Sequence, residues 1–190
     1  MNHIIVEDKL RDTNPVPVVI AFTPNYFIPA STCLYSIFAS LDIEEQIHVI
    51  CLLSEELPDR LKQKIQLIGG ERAQYSFINL QGRLQNIYID AKYTEAASYR
   101  LLLPDLLPEY DKVMYIDCDI IVRNNLVKLY RSVDLGNHYL AAVFEAPMDF
   151  QLGHLKVIGC HPDEYVNSGF LIMNLELMRR DNMVEKFIDA

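Results

Sequence analysis

Short apolar runs alternate with helical segments along the chain, and this alternation constrains the fold more than any other feature of the sequence. Strands are predicted at residues 16–22, 47–53, 75–80, 112–116, 140–145 and 165–175. Helices are predicted from about residue 28 to 41, from Ser54 to Gly69, from 95 to an end at Pro104, and from about 176 onward. Strands separated by helices imply βαβ units with right-handed crossovers. We therefore predict an α/β fold, a mostly parallel sheet with helices on both faces and ligands at the carboxyl ends of its strands.

The alternation continues without an internal repeat or a linker, so we predict one domain over residues 16–190, preceded by a polar extension, residues 1–15. A hydrophobic content of 51% is enough for a packed core. The formal net charge of -9 argues against a nucleic-acid partner, because no basic stripe is available to displace phosphate counterions. The sequence shows neither a signal peptide nor an apolar stretch long enough to span a bilayer. We expect a cytoplasmic protein, and a peripheral association with a membrane stays open.

The cysteines are widely spaced and form no C-x-x-C pair: Cys33, Cys51, Cys118 and Cys160. Three of them lie in apolar surroundings, which is typical of reduced cysteines that pack in the core of a cytosolic protein.

Two carboxylates, Asp117 and Asp119, directly follow the predicted strand 112–116. Residues i and i+2 share a face of an extended chain, so both carboxylates are expected to converge at the end of this strand. Carboxylates this close repel each other unless a cation joins them, and Mg²⁺ or Mn²⁺ binds a few carboxylates and completes its shell with phosphate oxygens. An acidic turn without a metal is the alternative, and the apolar flanks on both sides favour the metal site.

The turn after the first predicted strand carries Thr23, Pro24, Asn25 and Tyr26. A turn that opens a helix presents backbone N–H groups to a ligand. The Asn25 amide can donate and accept hydrogen bonds to a base or a ribose, and Tyr26 can stack on a ring. By itself the segment is better interpreted as an ordinary strand–helix turn. Neither a G-x-G-x-x-G motif nor a phosphate-binding P-loop motif is present.

Arg100 and the triplet Asn167-Ser168-Gly169 complete the candidates. A small polar triplet within a strand-like run suggests close approach of the backbone to a ligand, with Asn167 as the specific contact. A bulge or bend fits the triplet equally well. Arg100, a single cation on an otherwise apolar helix, can clamp a phosphate or orient an acid. The alternative is that Arg100 is a surface arginine whose guanidinium lies in solvent.

These segments in this order resemble glycosyltransferase family 8, which includes lipopolysaccharide galactosyltransferases and glycogenin. The resemblance covers roughly residues 16–180 and is carried by A-F-T-P-N-Y, S-Y-R-L-L-L-P, K-V-M-Y-I-D-C-D-I-I-V and N-S-G-F-L-I-M-N-L. It implies a GT-A fold with a Rossmann-like sheet that binds a UDP-sugar. It also implies retaining transfer of a hexose from UDP-galactose or UDP-glucose to a glycan or lipid-linked acceptor. The expected setting is bacterial surface polysaccharide or lipopolysaccharide assembly at the inner face of the membrane.

The resemblance also assigns roles to residues. Asp117 and Asp119 would bind Mn²⁺ (or Mg²⁺), which holds the diphosphate, and Asp117 would also touch ribose or sugar hydroxyls. Thr23, Asn25 and Tyr26 fall where the family contacts uridine, although an acidic residue is common where this chain has Thr23-Pro24.

Arg100 falls where the family has an arginine at the diphosphate and the sugar, and Cys118 lies within the nucleotide-binding motif. The triplet Asn167-Ser168-Gly169 matches the sugar-contacting N-[AS]-G of the family. Glu145 falls where the family often has an aspartate that faces the sugar. The resemblance therefore implies that Arg100, Asn167 and Glu145 are the catalytic residues.

Two alternatives stay open. One is a haloacid-dehalogenase-like phosphatase, which also places D-x-D after a strand, although usually after the first strand. The other is a non-catalytic module that binds a nucleotide or a partner. Residues 183–190 have helical periodicity and lack a helix stop signal, so we expect that the chain is cut within a helix and that the C-terminal part of the catalytic domain is missing. Since the family adds a third metal ligand further along the chain, we expect the 190 residues to bind UDP or metal weakly and to turn over poorly.

Overall fold

A computed structural model describes residues 14–84 and 95–189. Within these ranges one sheet is formed by the strands β1 (Val16–Phe22), β2 (Ile47–Leu53), β3 (Ala73–Asn79), β4 (Lys112–Asp117), β5 (Leu140–Phe144) and β6 (Val166–Asn174). The helices are α1 (Phe27–Ala39), α2 (Asp59–Gln66), α3 (Glu95–Ser98), α4 (Leu103–Leu106), α5 (Leu126–Ser132), α6 (Asp149–Val157), α7 (Leu175–Arg180) and α8 (Met183–Asp189). Most of the predicted extension, residues 1–15, lies outside the described residues.

The strand order in the sheet is β3-β2-β1-β4-β6-β5. The pairs β1–β2, β2–β3 and β1–β4 are parallel, whereas β6 is antiparallel to both β4 and β5. The predicted α/β fold with a mostly parallel sheet is therefore confirmed. Because β6 runs in the opposite direction, its first residues lie at the edge where β1, β4 and β5 end.

The core lies on both faces of the sheet, as predicted. Every residue of β1 is buried, which is typical of a strand that is covered on both sides. Alternate residues of β1 and β4 enter two hydrophobic clusters. Helices α1, α2 and α5 contribute to the cluster that contains Ile20 and Ile116, and α3, α4 and α7 to the cluster that contains Val19 and Tyr115.

Strands β1 and β2 have the predicted bounds, and the other four differ by one or two residues, so Glu145 lies just past the end of β5. The second helix begins at Asp59 and not at Ser54. The correction follows from Pro58, which disfavours helical backbone at the residue before it and stands at the position that precedes the first helical turn. The third predicted helix does not end at Pro104, because the proline occupies the first turn of α4, where no N–H is needed.

Helices α5 and α6 were not predicted, and the predicted terminal helix is divided into α7 and α8. Asn182, between α7 and α8, has a φ of 52°, a left-handed backbone conformation that asparagine tolerates better than most residues. In the described ranges, no helix is both long enough and apolar enough to cross a membrane.

Candidate functional site

The predicted site residues gather at the carboxyl edge of the sheet. Asp117 is the last residue of β4, and Glu145 directly follows β5. Asn167 and Ser168 are the second and third residues of β6. Arg100 reaches the same edge from a 3-10 segment, Tyr99–Leu102, between α3 and α4. The structure thus brings together side chains from four separate parts of the chain.

Arg100 is 8% exposed and makes three hydrogen bonds to the protein. Its Nη2 donates to Oδ1 of Asp117 at 3.1 Å, Nε donates to the carbonyl of Ala97 at 2.6 Å, and Nη1 donates to the carbonyl of Ser168. These bonds use three of the five N–H groups of a guanidinium. The alternative of a surface arginine is wrong, because Arg100 ties α3, β4 and β6 together beneath the edge of the sheet.

The hydroxyl of Tyr115 donates to the same Asp117 oxygen, Oδ1, at 3.1 Å. The ring of Tyr115 lies under Arg100, with 4.3 Å between the guanidinium carbon and the ring centroid. Burial raises the pKa of Tyr115, the Arg100 charge opposes this rise, and Asp117 adds to it. The hydroxyl therefore stays protonated and acts as a donor. Sequence reasoning missed this residue, although its i, i+2 spacing from Asp117 on a strand was a usable signal.

Asp119 lies in a turn, since β4 ends at Asp117 and the N–H of Ile120 donates to the Asp117 carbonyl at 3.4 Å. The expectation that both carboxylates share one face of an extended chain is therefore wrong in its geometry. Asp119 is exposed to solvent beside the end of β4. The conformation of this turn therefore sets the position of the Asp119 carboxylate relative to Asp117.

The donor set fits a hard divalent cation, because two carboxylates supply oxygen ligands and leave positions for ligand phosphates. Three or more His, Cys, Asp or Glu side chains do not gather anywhere in residues 14–84 and 95–189 in a way that could hold a metal ion. The described residues therefore offer the two aspartates as a partial set of ligands.

Gly169 lies directly against the Asp117 carboxylate. A Cβ atom at this glycine would stand 2.6 Å from Oδ2 of Asp117 and 3.0 Å from Oδ1 of Asn167. The β5–β6 pairing shifts register here, with Ala142 opposite Leu171 and Val143 opposite Asn167, so the alternative of a bulge is confirmed. The bulge and the small residue give the carboxylate room.

Asn167 and Glu145 form a polar pair at the exposed rim of this edge. Nδ2 of Asn167 donates to Oε2 of Glu145 at 3.2 Å, and Oδ1 of Asn167 accepts from the N–H of Gly169 at 2.8 Å. The Glu145 N–H donates to the carbonyl of Tyr165 at 3.0 Å. These bonds fix two side chains that face solvent next to Asp117, and their role as sugar contacts remains a prediction.

Thr23, Asn25 and Tyr26 follow β1, the strand that neighbours β4 in the sheet. The Tyr26 N–H donates to the carbonyl of Thr23 at 2.8 Å and closes a tight 3-10 turn. Asn25 is exposed, and Tyr26 is 45% exposed. Their side chains are thus accessible at the correct edge of the sheet, and contact with uridine remains a prediction.

The Cys118 side chain is buried in the core and does not face the carboxyl edge with the aspartates. Burial, with Asp119 and Asp117 adding to it, raises the pKa of this thiol to about 11. Burial likewise raises the pKa of Cys33 to about 12, and the Cys33 thiol donates to the carbonyl of Asp117 at 3.9 Å. All four cysteines are free, and a nucleotide contact by Cys118 would have to come from its main chain.

Helix α1 supports the segment that follows the two aspartates. The Ser36 hydroxyl accepts from the N–H of Val122 at 2.9 Å and donates to the Cys33 carbonyl at 2.7 Å. The Ser40 hydroxyl contacts the carbonyl of Asn124 at 3.1 Å. Neither long-range contact could be predicted from local sequence patterns, because the partners are more than 80 residues apart.

A mostly parallel sheet flanked by helices on both faces is the fold of the GT-A glycosyltransferases. Comparison with solved structures agrees: the galactosyltransferase LgtC, determined with donor and acceptor sugar analogues, superimposes with a TM-score of 0.72 at 25% identity. The match covers 92% of this chain and 66% of LgtC. The bifunctional glycosyltransferase WbbM has a TM-score of 0.78 at 23% identity, over 100% of this chain and 35% of that one.

The chain belongs to glycosyl transferase family 8, whose family model matches residues 17–190. General stress protein A of Bacillus subtilis (strain 168) is 25% identical over 183 residues, which are 95% of this chain and 63% of that protein. A putative glycosyltransferase of Haemophilus influenzae is 32% identical over 107 residues, or 55% of this chain and 32% of that protein. The chain spans less than two thirds of the length of these curated relatives. Membership in this family argues against the alternative of a phosphatase.

Proposed function

We propose that this chain is the donor-binding part of a retaining glycosyltransferase that transfers a hexose from UDP-galactose or UDP-glucose to a glycan or glycolipid acceptor. The observation that carries the proposal is the ion pair between the buried Arg100 and the half-buried Asp117, which lies at the same edge of the sheet as Asp119 and the Asn167–Glu145 pair. Family membership and the likeness to LgtC, a galactosyltransferase, support this choice.

Asp117 and Asp119 are the residues that would hold Mn²⁺ or Mg²⁺. Arg100 and Tyr115 both donate to Oδ1 of Asp117, so Oδ2 is the oxygen that these two donors leave for a cation or a ligand hydroxyl. A bound divalent cation supplies Lewis-acid stabilisation of the charge that develops on the departing diphosphate.

Arg100 is suited to the same leaving group. Two N–H groups of its guanidinium remain after the three bonds to the protein, and they can donate to phosphate oxygens. Three hydrogen bonds to the protein hold the Arg100 guanidinium before a ligand arrives. The guanidinium therefore needs little reorganisation when negative charge develops on the diphosphate.

Asn167 and Glu145 are proposed to face the transferred sugar. In retaining transfer the sugar passes through a state with oxocarbenium character, which nearby carboxylate and amide oxygens stabilise. Glu145 supplies the carboxylate and Asn167 the amide oxygen at the rim of the site. Tyr26 and Asn25 are proposed to stack on uracil and to bind its edge or the ribose, with Thr23 and the main chain of Cys118 completing the nucleotide contacts.

We also propose that the acceptor belongs to bacterial surface polysaccharide or lipopolysaccharide and is linked to a lipid at the inner face of the membrane. This part of the proposal depends on the sequence resemblance. A panel of glycan and lipid-linked acceptors, offered together with the preferred donor, tests it.

The test of the donor site follows the thermal stability of the protein while UDP is titrated with and without Mn²⁺. We expect Mn²⁺-dependent stabilisation by UDP that is lost in Asp119→Ala and kept in Asp105→Ala, an exposed acid on α4. Hydrolysis of UDP-glucose, UDP-galactose and UDP-N-acetyl sugars with Mn²⁺ then identifies the donor. Stabilisation by UDP that needs no metal, without hydrolysis, would instead support the non-catalytic module.

A further inference from the structure

Tyr115 lies beneath both charged partners of the candidate site. It is 1% exposed, its hydroxyl is 3.1 Å from Oδ1 of Asp117, and its ring centroid is 4.3 Å from the guanidinium carbon of Arg100. Since Nη2 of Arg100 is also 3.1 Å from Oδ1, the three side chains form a closed set of contacts. Each of the two charged groups thus touches Tyr115 and the other charged group.

The backbone around Tyr115 is among the most constrained in the sheet. β4 pairs with β1 on one side and β6 on the other, so Tyr115 stands opposite Val19 and Leu171. Tyr115 and Asp117 are two residues apart on one strand and project from the same face. The ring is therefore fixed by the sheet itself, whereas Arg100 comes from a short 3-10 segment packed over that face.

We infer that Tyr115 is a positioning residue with two separate effects: its ring supports the Arg100 guanidinium, and its hydroxyl fixes the Asp117 carboxylate. A cation above an aromatic face is attracted by the ring quadrupole, and the attraction is stronger where water is excluded. The hydroxyl gives Oδ1 a second donor and restrains rotation of the carboxylate. The inference rests on the proposed function, in which Asp117 and Arg100 hold the metal-bound diphosphate.

The two effects can be separated by substitution. Tyr115→Phe keeps the ring and removes the hydroxyl, so the support of Arg100 should persist while Asp117 loses one of two donors to Oδ1. We expect Mn²⁺ binding in the presence of UDP to weaken by about threefold to tenfold, the effect of one hydrogen bond. Tyr115→Leu removes both effects and should also release Arg100.

Tyr99→Phe is the matched control. Tyr99 is 0% exposed, and its hydroxyl donates to the carbonyl of Leu80 at 3.3 Å, away from Asp117. The substitution removes the same chemical group from a similarly buried ring on the same face of the sheet. A general loss of packing or stability would affect both phenylalanine variants, whereas a positioning effect appears only at Tyr115.

The experiment has one readout with metal and one without. Free Mn²⁺ is followed by electron paramagnetic resonance while it is titrated into protein with UDP. In metal-free protein, the Nε–H signal of Arg100 in a ¹⁵N–¹H spectrum is assigned from its loss in Arg100→Lys. We expect this signal to be preserved in Tyr115→Phe and to shift or broaden in Tyr115→Leu.

Equal Mn²⁺ affinity in wild type and Tyr115→Phe, or equal losses in Tyr115→Phe and Tyr99→Phe, would overturn the role of the hydroxyl. An unchanged Arg100 signal in folded Tyr115→Leu would overturn the role of the ring. If the wild-type protein binds no Mn²⁺ with UDP, the proposed function fails in its metal requirement. The metal-free spectra still decide whether Tyr115 positions Arg100.

Discussion

A methyl group on the α carbon of Gly169 would stand 2.6 Å from Oδ2 of Asp117 and 3.2 Å from its Cγ. Arg100 and Tyr115 hold the Asp117 carboxylate in place by hydrogen bonds to its other oxygen, Oδ1. The carboxylate therefore cannot move away from an added methyl group without breaking those hydrogen bonds. Glycine at this position of β6 is therefore a requirement of the site, even though the backbone itself is extended there.

Gly169→Ala is accordingly expected to displace the Asp117 carboxylate and to reduce the affinity for Mn²⁺ and UDP about tenfold or more, as changes to residues that orient a metal ligand do. Isothermal titration calorimetry measures the change. Gly153→Ala is the control, because a Cβ there meets nothing within 4 Å and α6 should gain about 0.5–1 kcal/mol. Unchanged affinity in Gly169→Ala would show that Asp117 does not need its observed position.

Arg100→Lys should destabilise the fold as well as weaken donor binding. Lysine keeps the charge but cannot reach Asp117, Ala97 and Ser168 at once, so partly buried acceptors lose their hydrogen bonds to a buried side chain. The expected loss is about 1–3 kcal/mol in the free energy of unfolding, measured by urea denaturation. The exposed Arg60 on α2 offers the same substitution as a control, with a change near zero. A stable Arg100→Lys protein would mean that the three hydrogen bonds contribute little.

Ser36→Ala tests the support of the turn that carries Asp119. The substitution leaves the half-buried N–H of Val122 without its acceptor, which should cost about 1–2 kcal/mol in the free energy of unfolding. Ser31→Ala, on the same helix, removes only a hydroxyl that donates to the Phe27 carbonyl of its own helix and should cost much less. Hydrogen exchange of the amides at 118–125 should become faster in Ser36→Ala alone. Equal exchange in both variants would contradict the support by α1.

His48 should make stability depend on pH. Burial lowers the pKa of His48 below the usual 6.5, with Glu109 opposing the shift, and the ring contacts the Tyr110 hydroxyl at 2.5 Å and the Ser76 hydroxyl at 2.8 Å. Because the unfolded chain then takes up the proton at a higher pH than the folded chain, stability falls as pH drops below about 6.5 towards the folded pKa.

Urea denaturation at several pH values between about 7.5 and 5 measures this dependence. His48→Gln should be less stable at neutral pH and should lose the part of the slope that His48 contributes. His154→Gln, at an exposed position on α6, is the control for the loss of a histidine as such. An identical slope in wild type and His48→Gln would show that the histidine is not linked to folding.

The parts of the fold that could be predicted are those whose information is local. The apolar runs of β1 and β2 gave both strands with their observed bounds, because a strand buried on both faces has no polar alternation to blur its ends. α6 was missed because it mixes Gly153 and His154 with exposed apolar residues and so lacks helical periodicity. Ser54 is a good helix start in isolation, and the buried Leu57 with Pro58 prevented it from acting as one.

The candidate site likewise has features that depend on local sequence and features that depend on tertiary contacts. The sequence by itself determined the alternation of strands and helices, the family, and the residue types of the candidate site, since these depend on local order along the chain. Only the tertiary structure decided that β6 is antiparallel, which carries Ser168 and Gly169 to the end of β4. It also decided that Arg100 is a buried link to Asp117 and not a surface charge. The contacts of Arg100 join residues 17 and 68 positions apart, and such contacts exist only once the whole sheet has formed.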